Sequence, residues 1–109
     1  MFADQRASRV ASAEAKRVEF DVVARDNRCE PAVLALDREG RAVQIVFRVT
    51  SVGREHRFLI PGMGVRQTVR ADATVEVAVV AEESWIYEYA CTSLPWIGPM
   101  TSTGKLAIK

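Results

Sequence analysis

Histidine is nearly absent from this chain: His56 is the only one in 109 residues, and cysteine is limited to Cys29 and Cys91. One imidazole excludes any metal centre that needs two from the same chain. A Ser-His-Asp arrangement would have no nucleophile motif to support it. There is no Gly-rich phosphate loop and no CxxC pair, and the acidic residues are scattered without metal-ligand spacing. No apolar run approaches the about 18 residues that a spanning helix needs. Residues 1–16 lack the apolar stretch of a secretory signal. Fifteen Lys and Arg against fourteen Asp and Glu leave a net charge of +1. A chain without a basic excess does not read as a nucleic-acid binder. These absences leave no marked acid–base pair or nucleophile, and the sequence reads as a non-enzyme.

Charge of one sign is missing locally. Residues 71–104 carry Asp72, Glu76, Glu82, Glu83 and Glu88 and no Lys or Arg. This stretch reads as a solvated acidic face, or as a docking field for a basic partner.

What is present is β pattern. Residues 1–17 form a polar, Ala-rich lead-in, helical or disordered. From Val18 on, short runs rich in Val, Ile, Phe and Tyr alternate with turn signals. Strands are expected at 18–24, 32–36, 42–49, 56–60, 74–80, 85–91 and 105–108. Val43, Ile45, Phe47 and Val49 share one parity, as do His56, Phe58 and Ile60, and Trp85, Tyr87, Tyr89 and Cys91. Each set predicts an inward face. At period-two spacing Trp85, Tyr87 and Tyr89 read as core rather than as an electron path. Asp37–Gly40 and Pro61–Gly64 punctuate the strands, with short helical turns expected near 61–67 or 81–84. Pro95 and Pro99 make 92–103 a loop, and Met63 reads as a loop hydrophobe. The chain is read as a lead-in plus one domain, 18–109, an all-β sandwich of seven to eight strands.

Cys91 closes one inward set and His56 opens another, with Met100 nine residues after the cysteine. Thiolate, imidazole and thioether form a soft-to-borderline set that suits copper better than magnesium or calcium. Equally, Cys91 reads as a small buried apolar residue, Met100 as gap filler and His56 as a satisfied rim histidine.

The segment His56-Arg-Phe-Leu-Ile-Pro61-Gly, followed by Tyr87-Glu-Tyr-Ala-Cys91-Thr-Ser-Leu-Pro-Trp96-Ile-Gly-Pro-Met100, resembles the cupredoxin pattern. Cys29-Glu-Pro31-Ala-Val-Leu resembles that family's early segment, and Gly104-Lys-Leu-Ala-Ile its closing strand. Around 56–64 the chain is also similar to the soluble domain of cytochrome c oxidase subunit II. The resemblance covers roughly 18–109 and implies a Greek-key β-sandwich with copper near one end. It implies His56 as nitrogen ligand, Cys91 as thiolate and Met100 as weak axial thioether. The loop has azurin-like spacing, but Trp96 stands where the second histidine would be. Indole is only an N–H donor, so the His₂Cys plane of a blue site cannot be built here.

Cys29 stands where the family commonly has a buried aromatic. It is then a second thiolate, a disulfide partner of Cys91 or a plain core thiol. The implied functions are a copper-binding protein with an atypical site favouring Cu(I), in electron transfer or copper handling, or a metal-free structural or docking module. The implied partner is a basic redox or copper-donor protein on the acidic 71–104 stretch. The implied location is periplasmic or extracytoplasmic, with the lead-in as the remainder of a removed signal or anchor.

Overall fold

The computed structural model describes residues 16–93 and 103–109. Nine strands run in chain order: β1 (Lys16–Arg25), β2 (Arg28–Glu30), β3 (Val33–Leu36), β4 (Val43–Ser51), β5 (His56–Ile60), β6 (Val65–Val69), β7 (Thr74–Ala81), β8 (Trp85–Ser93) and β9 (Thr103–Ile108). They form a four-stranded sheet in the order β2-β1-β4-β7 and a five-stranded sheet in the order β3-β9-β8-β5-β6. β1 lies parallel to β4 and β3 parallel to β9, while the other pairings are antiparallel.

Alternation decides which faces meet. Val43, Ile45, Phe47 and Val49 of β4 are fully buried and face Phe58 and Ile60 of β5, Tyr89 of β8 and Leu106 of β9. The rings of Phe20, Phe47, Phe58 and Tyr89 form a chain across the core, with centroids 6.0, 5.4 and 6.3 Å apart. The other face of β1 and β4 is charged. Arg48 binds Glu19 at 2.8 Å and Asp21 at 3.0 Å, and its Nε lies 3.6 Å from Glu76. All four side chains are well solvated, so the network fixes register more than it adds stability.

The strand count exceeds the expected seven to eight because two short strands lack a pattern of their own. β2 has three residues and forms only by pairing with the end of β1. β6 reads Val-Arg-Gln-Thr-Val, with only its end residues buried, and pairs with β5 through a tight connection. There the helical expectation is corrected: only Pro61–Met63 turns, as a single 3₁₀ turn, closed by Gly64 at φ 69°. Residues 81–84 hold no helix; Ala81 ends β7. β1 begins at Lys16 rather than at residue 18, because Lys16 and Arg17 pair with Val43 and Gln44. Residues 1–15 of the expected lead-in lie outside the described residues. Thr92, Ser93 and Thr103 belong to strands rather than to the expected loop.

The Trp85 parity set is half right. Tyr89 and Cys91 are fully buried, but Trp85 is 64% exposed. Near Trp85, β8 has β9 as its strand partner, whereas β5 joins only from Ala90 onward. At that end β8 has, among the described residues, a strand on one side only, and Trp85 stays outside the core that its partner Ile108 joins.

Candidate functional site

Cys29 sits in the middle of β2 and Cys91 near the end of β8, so one is carried by each sheet. Their side chains meet across the sandwich as a disulfide, with Cα atoms 5.1 Å apart and 62 residues between them in sequence. Of the three roles open to Cys29, the disulfide is the one found. The thiolate expected at Cys91 is here one half of that bond.

Two hydrogen bonds clamp the same junction. The Ser93 amide donates to Asn27 Oδ1 at 2.7 Å, and the Tyr89 hydroxyl donates to the Pro31 carbonyl at 2.6 Å. They tie β8 to the chain two residues before and two residues after Cys29. Burial pushes the Tyr89 hydroxyl up to about 12, so it remains a donor throughout the physiological range. Its ring needs Gly104. A Cβ there would lie 2.5 Å from the ring and 2.8 Å from the Ala32 carbonyl.

His56 opens β5, opposite Ser93 of β8 and Val69 of β6. Phe58, two residues on, is opposite Cys91. His56 and Cys91 are therefore diagonal neighbours on one inward face, a relation that sets such residues about 7–8 Å apart. The imidazole is fully buried. Nδ1 lies 3.0 Å from the Arg54 carbonyl and 2.7 Å from Ser51 Oγ, while Ser51 Oγ donates to that same carbonyl. The carbonyl accepts only, so this network assigns the proton to Nδ1 and leaves Nε2 a lone pair. Nε2 is buried and has no hydrogen-bond partner among the described residues. Burial holds the ring below its ordinary 6.5, against the Arg54 carbonyl, which favours the charged form. It is a neutral base at pH 7.

Met100 and Trp96 lie outside the described residues, so their expected roles have no structural counterpart here. Among the described residues no three or more His, Cys, Asp or Glu side chains cluster as a metal group. Of the donors that sequence pattern brought together, His56 and Cys91 are diagonal neighbours on one face, and Cys29, offered only by the resemblance, joins them through the disulfide. Their supporting residues Ser51, Arg54, Asn27 and Tyr89 were not singled out as such, since a polar residue in a turn carries no sign of what it will meet.

The acidic stretch is less uniform than its composition. Glu88 pairs with Lys105 at 2.6 Å, Glu76 approaches Arg48, and Asp72 accepts the Gly53 amide at 3.0 Å. Glu82 and Glu83 make no ion pair among the described residues. They border an open groove of about 440 Å³ with Gly62, Met63, Val79 and Tyr87.

Two facing mixed sheets, with His56 opening a strand beside the one that ends past Cys91, define a cupredoxin-like fold. Solved structures agree at the level of fold. Auracyanin A, a "blue" copper protein from Chloroflexus aurantiacus, matches with a TM-score of 0.59 and 18% identity, over 85% of this chain and 99% of its own. The metal-binding domain of the Streptococcus pneumoniae D39 Cu(I)-exporting P-type ATPase CopA matches at 0.57 and 15%, over 88% and 96%. A heme-copper terminal oxidase matches at 0.63 and 12%, over 88% of this chain but 66% of that one. The chain spans only 39% of the length of the blue copper oxidase from Nitrosomonas europaea, which matches at 0.65 and 13%. No protein-family model and no curated protein sequence matches the chain.

Proposed function

We propose that this chain is an extracytoplasmic copper-handling protein whose metal-binding form is the dithiol, with Cu(I) as its cargo. The observation that carries the reading is the placement of the Cys29–Cys91 bond beside a buried imidazole with a bare Nε2. A histidine whose Nδ1–H is held by a backbone carbonyl offers the other nitrogen as a ligand. The donor set fits the ion in one redox state only. As a disulfide, the two sulfurs supply no thiolate. Once reduced, Cys29, Cys91 and His56, joined by Met100, would hold a soft, low-coordination ion such as Cu(I). Bound copper would supply one-electron chemistry. Cu(II) is disfavoured, since Trp96 replaces the second imidazole that it would want.

A persistent disulfide suits an oxidising compartment, which supports a periplasmic or extracytoplasmic location. The reading as a non-enzyme is supported by the match to auracyanin A, a "blue" copper protein, over nearly that protein's whole length. The acidic side chains left for a basic redox or copper-donor protein are Glu82 and Glu83.

The test is an anaerobic competition titration against a Cu(I) chelator, on oxidised and on reduced protein. Reduced protein should compete, oxidised protein should not, and Cys91→Ser should lose most of the affinity under reducing conditions. Equal and poor competition by all three would favour the second reading, a metal-free structural or docking module. The buried, bonded state of both sulfurs is the observation that speaks for it.

A further inference from the structure

The two halves of the disulfide are held very differently. Cys91 is fully buried in β8, an interior strand of nine residues flanked by β5 and β9. Cys29 retains 8% of its surface and sits in a three-residue strand at the edge of its sheet, hydrogen-bonded to β1 on one side only. β2 is bounded by a turn with Asp26 and Asn27 at φ 51° and 65°, and by Pro31, whose nitrogen donates no hydrogen bond. Lifting such a segment breaks the few β1–β2 backbone bonds and the two clamps to β8, whereas reaching Cys91 requires opening the five-stranded sheet. Local openings of short edge segments lie at the low end of the free-energy range of native-state fluctuations.

We infer that the Cys29–Cys91 bond is a redox latch over the copper position, opened by a thiol reductant that attacks the Cys29 sulfur. This rests on the Cu(I) reading above. The reductant's thiolate forms a bond to Cys29 Sγ and the Cys29–Cys91 bond breaks, so Cys91 leaves as a thiolate on the face it shares with His56. A second reductant thiol attacks the mixed disulfide and frees Cys29. The reductant departs as its own disulfide, having supplied both electrons, and the two protein sulfurs take up its two protons or remain thiolates.

The clamps two residues either side of Cys29, Asn27 to Ser93 and Tyr89 to Pro31, do not depend on the sulfur bond. They keep both thiols in register after reduction, so the pair can accept an ion or close again. Closing and metal binding exclude each other, because each uses the same two sulfurs.

The experiment uses the full oxidised chain and needs no substitution. It is exposed to graded reduced glutathione, quenched in acid, digested and read by mass spectrometry. Glutathione should be found on Cys29 in at least about tenfold excess over Cys91, reflecting access to the attacked sulfur. The reduction rate should stay flat in low urea, as local opening requires. Equal labelling, a Cys91 preference, or a rate rising with urea as steeply as global unfolding would each overturn the latch. The Cu(I) titration is separate: Cys29-selective attack with no Cu(I) competition by the dithiol would defeat the copper reading alone. Competition without that selectivity would defeat the latch alone.

Discussion

Breaking the sulfur bond should cost this protein a large share of its stability, and the size can be worked from the chain. The bond closes a loop with a sequence separation of 62. The entropy that such a closure removes from the unfolded chain corresponds to about 4 kcal/mol at 25 °C. A domain of this length has an unfolding entropy of roughly 0.2 kcal/mol/K, so the melting temperature should fall by about 20 °C. The assay compares urea and thermal unfolding of oxidised protein, protein held reduced, and the Cys29→Ala/Cys91→Ala variant. Reduction alone isolates the cross-link. The double variant adds the loss of two buried sulfurs, and should be less stable again by no more than about 1–2 kcal/mol. Each single variant should fall at least as far as reduction alone, since one missing cysteine already opens the loop, and should lie between reduction and the pair. A loss below about 1 kcal/mol on reduction would show that the unfolded chain is already held compact without the bond, and the loop argument would be wrong.

Other consequences are open to measurement. In the folded, metal-free state His56 is kept neutral by burial, so its contribution to stability is full above pH 6.5 and is lost as the pH falls below it; urea unfolding at pH 7.5 and 5.5 should show this decline, and His56→Phe should flatten it. Tyr89→Phe removes the donor to the Pro31 carbonyl and should destabilise by about 1 kcal/mol, read by the urea midpoint with an unchanged slope. Gly104→Ala drives a methyl group into the Tyr89 ring and should cost about 1–3 kcal/mol, less in a Tyr89→Leu background; an equal cost in both backgrounds would contradict the contact. Cys29→Ala/Trp96→His leaves Cys91 free and restores a second imidazole at the azurin-like spacing. Cu(II) should then give an intense visible thiolate band absent from Cys29→Ala alone, and a folded but colourless protein would place residue 96 away from the metal position.

Much of the fold was legible because alternation survives where one face is buried. Val43 to Val49 and His56 to Ile60 are buried as their parity required. The same rule failed at Trp85, since parity tells which side a residue faces but not whether a second sheet extends over it. β2 and β6 were hidden for another reason: three residues with polar ends around Cys29, and five with a polar centre, form strands only because β1 and β5 offer edges. The site was half legible. His56 and Cys91 reach one face through cross-strand register, and that register follows from strand order. The bond to Cys29 depends on two sheets meeting, a separation no spacing within the sequence encodes. The pairing within the acidic stretch was hidden for the converse reason: the cations that meet Glu76 and Glu88 come from β4 and β9, outside the stretch.

The cross-link also sorts the strands topologically. Residues 29–91 form a covalent ring, and the two terminal strands, β1 and β9, lie outside it. Yet β1 is inserted between β2 and β4, and β9 between β3 and β8, so each of these strands fills a slot whose two walls belong to the ring. Trimming β1 would part β2 from the rest of its sheet, and trimming β9 would strand β3. These two strands are therefore keystones rather than fringes: β9 is held by backbone pairing on both sides, and deleting it would unmake a sheet from its interior.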